Sequence, residues 1–318
     1  MMARMRRRAV LLLVPVALLG ASCGDDNSST ARPSSSSSTT STSGTAASVD
    51  LTGLPLGDSH VKHAPGVGDL DLCSSFPTNG PGARVSGSWI HGVTFDLTAK
   101  AVVRGDAAWP EARFSAKVDG SRRVLTGNDL PVNHHTGTFP IANDDPAAQV
   151  DRNPSAIRPN EYTVTVPATP TAASTPGCVG GEVGFLVSGV ILNSPVDAMG
   201  RDAVAHEVQD GCGGHPNDAG YHYHSVPTCI DRDDARHELV GYALDGFGIF
   251  GRHDADGKVI TNADLDACHG HTHAIDWDGK PTTMYHYHAT WEFPYVVGCF
   301  HGTYTPTGPG RGAAHQQP

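Results

Sequence analysis

The chain has 318 residues, 38% hydrophobic and 17% charged, with a formal net charge of −11 at pH 7. That balance leaves no basic surplus to neutralise phosphates, so nucleic acid is not an expected partner, and 37 Gly with 23 Pro at irregular spacing exclude a collagen-type repeat. The length suffices for a substantial core in one large domain or two small ones, and the 18 His against 22 Lys plus Arg turn attention to metal chemistry.

Residues 1–22 carry Arg4, Arg6, Arg7 and Arg8 before an apolar run from Ala9 to Leu19. The run is too short to span a bilayer, and the pattern predicts an export signal. Gly20-Ala21-Ser22 precede Cys23, in the manner of a bacterial lipobox. Cys23 is therefore the expected lipid attachment, which makes the membrane a partner through an N-terminal anchor; ordinary cleavage and secretion is the alternative. Residues 27–48 hold 15 Ser or Thr in 22 positions and cannot bury apolar area. The expected organisation is a signal peptide at 1–22, a disordered tether at 23–49, one domain at 50–305 and a disordered tail at 306–318.

Seven cysteines occur, at 23, 73, 178, 212, 229, 268 and 299. With Cys23 lipidated, six remain for three disulfides in an oxidising compartment. Cys212–Cys229 and Cys268–Cys299 are favoured because each pair brackets one copy of the motif described below, which leaves Cys73 with Cys178. Cys212 and Cys268 also sit three residues before a His, a ligand-like spacing that keeps thiolate ligation open.

The segments from 50 to 200 read as strands. Residues 113–118 and 121–126 flank Asp119-Gly120, a hairpin signal. Residues 161–166 alternate with Tyr162, Val164 and Val166 on one face, and residues 184–192 form an apolar run that reads as one buried strand. Helix is expected only in short pieces such as 262–267. The fold class is mainly β, a single domain of antiparallel sheets with long loops and little helix, stabilised by disulfides; two packed β subdomains meeting near residue 200 are the alternative.

The motif that carries chemistry is Tyr221-His222-Tyr223-His224, which recurs as Tyr285-His286-Tyr287-His288. Each copy follows a Cys-x-x-His element and precedes another Cys, so the series from Cys212 through His215 to Cys229 parallels that from Cys268 through His271 to Cys299. Twelve of the 18 His fall between residues 206 and 301. In a strand, alternate side chains share a face at about 6.6–7 Å. His222 and His224 then face one way and the tyrosines the other, where they pack and hold the strand. The ligand set is His215, His222, His224, His271, His286 and His288, with both copies converging on one ion. Neutral imidazole suits copper or zinc as cofactor, and binding is expected to weaken as pH falls through about 6.5. His60, His63, His91, His237 and His315 are expected at the surface or in local hydrogen bonds, and of the adjacent His134 and His135 at most one joins a site.

These strings resemble the YHYH-domain proteins. The resemblance rests on residues 220–224, 241–251, 265–270 and 285–288, with Pro294-Tyr295, the run from Cys299 to Gly302 and an upstream element at 133–140. It implies a bacterial exported protein and carries no established activity with it.

Asp245, flanked by apolar residues and glycines, is the one candidate catalytic carboxylate; it could equally ligate a metal, orient a His or cap a turn. Asp254-Ala255-Asp256-Gly257 lacks the ligands of a calcium loop and reads as a turn. No phosphate-binding loop or His-Glu-x-x-His string is present, and no Gly-x-Ser-x-Gly string occurs after residue 24; the one at residues 20–24 belongs to the expected export signal. The leading expectation is a membrane-tethered, outward-facing metal-binding protein. A secreted metalloenzyme with an open coordination position and a metal-free, disulfide-rich interaction module are the alternatives.

Overall fold

The structure, a computed structural model, describes residues 49–76, 80, 85–231 and 236–304. The expected leader, Cys23, the tether up to residue 48 and the tail from 306 lie outside the described residues. Among those residues the chain is mainly β, with one four-residue α-helix at Ala203–His206 and a few 3-10 turns. The piece expected to be helical at 262–267 is a single 3-10 turn, Asn262–Asp264.

A three-stranded antiparallel sheet comprises β1 (Phe114–Asp119), β2 (Arg122–Gly127) and β3 (Tyr162–Pro167). The hairpin turns at Gly120, whose φ of 60° is open to glycine at little cost. This sheet leans on a larger one through Arg123. Its guanidinium donates to Asp278 Oδ2 at 2.8 Å and lies over the rings of Tyr242 and Trp277.

The larger sheet has eight strands: β4 (Glu182–Leu186), β5 (Ile191–Asn193), β6 (Gly214–Asn217), β7 (Gly220–Tyr223), β8 (Leu239–Ala243), β9 (Gly248–Phe250), β10 (Gly270–Trp277) and β11 (Lys280–His288). Their spatial order is β6-β7-β5-β4-β8-β9-β11-β10. The run at 184–192, expected as one buried strand, is instead a hairpin. Gly189 at φ 86° lets the chain reverse, and its N–H bonds to the Leu186 carbonyl at 2.9 Å.

The sheet is an internal duplication. In each half the first two strands form a hairpin, the second runs parallel to the fourth, and the third pairs antiparallel with the fourth. The halves join where β4 meets β8, with Phe185 opposite Tyr242 and the flanking pairs symmetric about that point. The boundary thus falls between residues 229 and 239 rather than near 200, and backbone hydrogen bonds run across it. The core spreads along both halves and includes Phe185, Leu186, Leu192, Tyr223, Ile249 and Tyr287. Three disulfides tie the loops: Cys73–Cys178, Cys212–Cys229 and Cys268–Cys299, the same three pairs singled out in the sequence.

Candidate metal centres

Each half builds one histidine cluster on the same frame. Asp210-x-Cys212-x-Gly214-His215 and Asp266-x-Cys268-x-Gly270-His271 are equivalent strings. In the first, Asp210 Oδ1 accepts from the Cys212 and Gly214 amides at 2.9 and 3.1 Å. In the second, Asp266 Oδ1 accepts from Cys268 and Gly270 at the same distances. The same carboxylates take the hydroxyl of the first motif tyrosine, Tyr221 at 2.8 Å and Tyr285 at 2.9 Å. The next strand then pairs in one register, His215 opposite His222 and His271 opposite His286. All four tyrosines are buried, so the alternation aims each His-x-His pair at the opposite face.

The backbone orients the imidazoles. His222 Nδ1 and His286 Nδ1 each lie 3.2 Å from the carbonyl two residues back, Gly220 and Met284. His224 Nδ1 lies 2.6 Å from the Ser194 carbonyl, and His288 Nδ1 2.7 Å from the equivalent Gly251 carbonyl. A proton held on Nδ1 leaves Nε2 as a lone pair aimed into the cluster, which is how metal-binding histidines are set.

In the first centre His215, His222 and His224 are all buried, and their ring nitrogens lie within 4.8 Å of one another. Glu207, which closes the 203–206 helix, joins them: its Oε2 lies 3.1 Å from the Nε2 atoms of both His215 and His224. Burial opposes its charge, but the two imidazoles outweigh that and hold its carboxyl well below the usual range. The same pairing raises His224 against the pull of burial. Burial and the two neighbouring rings push His222 well down.

The second centre is richer and more open. His286 and His288 are fully buried, whereas His237, His271, His273 and Asp254 are only partly so. Candidate donor atoms of His237, His273, His286 and His288 lie within 4.8 Å of one another, as do those of Asp254, His271, His273 and His288. His273 Nε2 lies 2.7 Å from Asp254 Oδ1. The buried Nε2 atoms of His237, His271, His286 and His288 have no hydrogen-bond partner. An imidazole nitrogen buried without a partner is costly unless a cation uses it. Burial keeps these rings neutral: His286 is pushed down to about 2, His288 to about 3 and His237 to about 4.

The expected ligands therefore divide. His215, His222 and His224 form one cluster and His271, His286 and His288 another. Five strand steps separate β7 from β11, roughly 24 Å at ~4.8 Å per step, so the two motifs do not share an ion. The expectation of one site fails because the copies sit at corresponding places in two halves joined at β4 and β8, not side by side. His237, expected at the surface, belongs to the second cluster, which also takes His273. Asp254 does begin a turn, with Gly257 N–H on its carbonyl, and its side chain faces the histidines as well. Glu207, His237 and His273 carried no signal in the motif; the recurrence of Asp-x-Cys-x-Gly-His was there to be read.

Asp245 lies among the tyrosines. It is 1% exposed and accepts from Tyr287 Oη at 2.6 Å and from the amides of Gly302 and Phe247. Its oxygens are occupied by the frame, and it touches neither cluster. Cys212 and Cys268 are bonded to other cysteines, so they offer no thiolate. His134 reaches the first motif from behind, with Nε2 2.6 Å from Tyr223 Oη, while His135 pairs with Asp106. His60 and His63 make local contacts with Asp69 and the Leu72 carbonyl, and His91 is exposed. His315 lies outside the described residues.

No curated protein and no solved structure matches the chain. Residues 163–262 match the family model described as YHYH protein; the match takes in the first motif and ends before the second. The matched stretch carries the frame just described, from β3 through the first histidine cluster to the hairpin that opens the second half: over residues 163–262 the chain is similar to the YHYH family.

Proposed function

We propose that the protein binds transition-metal ions, copper or zinc, at two separate histidine centres on the outer side of the cell, and is held to the membrane through Cys23. The observation that carries this reading is the set of buried imidazole nitrogens without partners in the second centre, on rings that backbone carbonyls turn inward. Imidazole selects copper or zinc over calcium or magnesium. Three disulfides suit an oxidising compartment. No helix among the described residues is long and apolar enough to cross a membrane; the membrane link of this proposal rests on the Gly20-Ala21-Ser22-Cys23 string alone.

The open side of the second centre favours a metalloenzyme as the second reading. His237 and His273 reach solvent, and an ion seated there would keep a position for an outside ligand.

The test is metal titration of protein purified without a histidine tag, with bound metal read by elemental analysis. Wild type should take up two equivalents. His222→Ala and His286→Ala should each remove one, and the double variant both, since sites this far apart act independently. Unchanged binding in both single variants would sink the proposal.

A further inference from the structure

The two centres share a frame and differ in what completes them. Glu207 has no counterpart in the second half, where the matching connection is the Asn262–Asp264 turn and Asp264 is engaged by Lys258 and Thr261. The Glu207 carboxylate is held firmly. Asp202 caps the 203–206 helix by accepting the Val204 and Ala205 amides. Asp202 is anchored in turn by the Gly57 amide and the Tyr295 hydroxyl, and Lys100 and Trp89 grip the helix carbonyls of Val204 and Ala205.

The Glu207 side chain then stands where an ion would need it. His215 Nε2 and His224 Nε2 are 3.2 Å apart, and Glu207 Oε2 is 3.1 Å from each. Donor atoms around a tetrahedral ion with bonds of 2.0–2.1 Å stand about 3.3 Å apart. The triangle has that size. Oε2 is buried and takes no hydrogen bond, despite two nitrogens at contact distance. His224 Nδ1 donates to the Ser194 carbonyl, which turns its Nε2 toward His215 Nε2 and Glu207 Oε2. A divalent ion serves all three.

Building on the two-centre reading, we infer that Glu207 is a metal ligand. It makes the first centre a closed imidazole–carboxylate shell with His215, His224 and His222, which retains its ion, while the second centre exchanges its ion with solution. All four side chains of the first shell are nine-tenths or more buried, whereas the second centre is reached by solvent at His237 and His273. An ion in the first shell leaves only when the shell opens; an ion in the second can be taken by an outside ligand directly.

The experiment is zinc release to a coloured chelator from protein loaded with two equivalents. Wild type should show one fast and one slow equivalent. His286→Ala should remove the fast phase and keep the slow one. Glu207→Gln should speed the slow phase by roughly 10–100-fold and leave the fast phase in place, which also reports that the sheet is folded. If Gln at 207 loads neither centre, Glu207→Asp, which keeps the charge and misplaces it, should show the fast phase and an accelerated slow one. Equal release rates in wild type, or a slow phase untouched by Glu207→Gln, would overturn the inference while leaving two-site binding intact. Wild type that binds no zinc would remove the two-centre reading itself.

Discussion

The histidines of this protein are unusual less for their number than for their neutrality. Burial pushes His269 and His288 down to about 3 and His286 to about 2, against about 6.5 in an unfolded chain. A histidine with a depressed folded value binds fewer protons folded than unfolded between the two values. Its stabilising contribution is therefore complete above about 6.5 and drains away as pH falls below that. His224, which Glu207 raises against the pull of burial, works in the opposite sense, while His222, His237 and His271 are lowered like the first three. The protein in chelator should thus begin to lose its near-ultraviolet circular dichroism as pH drops below about 6.5, with unfolding complete near pH 4. A flat signal from pH 7 to pH 4 would contradict this account.

At the scale of elements, the two halves show how a hairpin can lengthen without moving its site. From His215 to His222 is 7 residues and from His271 to His286 is 15, so β10 and β11 each gain four residues over β6 and β7 between the facing histidines and the turn. An even number per strand preserves which side chains face the cluster, and the longer hairpin closes on Asp278-Gly279, both at positive φ. The price of the close pairing falls on Gly214 and Gly270. A Cβ at Gly270 would stand 2.4 Å from the Tyr285 ring and from the His286 carbonyl, and one at Gly214 2.3 Å from the Tyr221 ring. Gly270→Ala should therefore cost about 1–3 kcal/mol in chemical denaturation. Gly180→Ala, where a Cβ meets nothing within 4 Å, should be neutral within ~0.5 kcal/mol. Equal effects at the two positions would mean that the tyrosine packing does not constrain the strand. The unequal hairpins are also why the duplication reads as loose in the sequence: spacings between motifs vary while the register at the base of each hairpin does not.

For the whole molecule, the sequence predicts a tether that the described residues do not include. If Cys23 carries the lipid, Cys23→Ala should move most of the protein from the membrane fraction to the soluble one, read by immunoblot of separated fractions. Retention at the membrane would require another attachment. Taken alone, the sequence determined what depends on local chemistry. Alternation in Tyr-His-Tyr-His sets strand and facing, because side-chain direction is a property of two or three residues. Cysteines bracketing each motif named the disulfides. Which histidines meet was decided by strand order, and that depends on pairing between segments far apart in the chain. The join of β4 to β8 sends the two motifs to separate centres. It is likewise tertiary packing that brings Glu207 from a capped helix turn to His215 and His224, and His237 from the loop before β8 to His288. None of those contacts leaves a periodic trace, because each rests on one side chain meeting another across the fold.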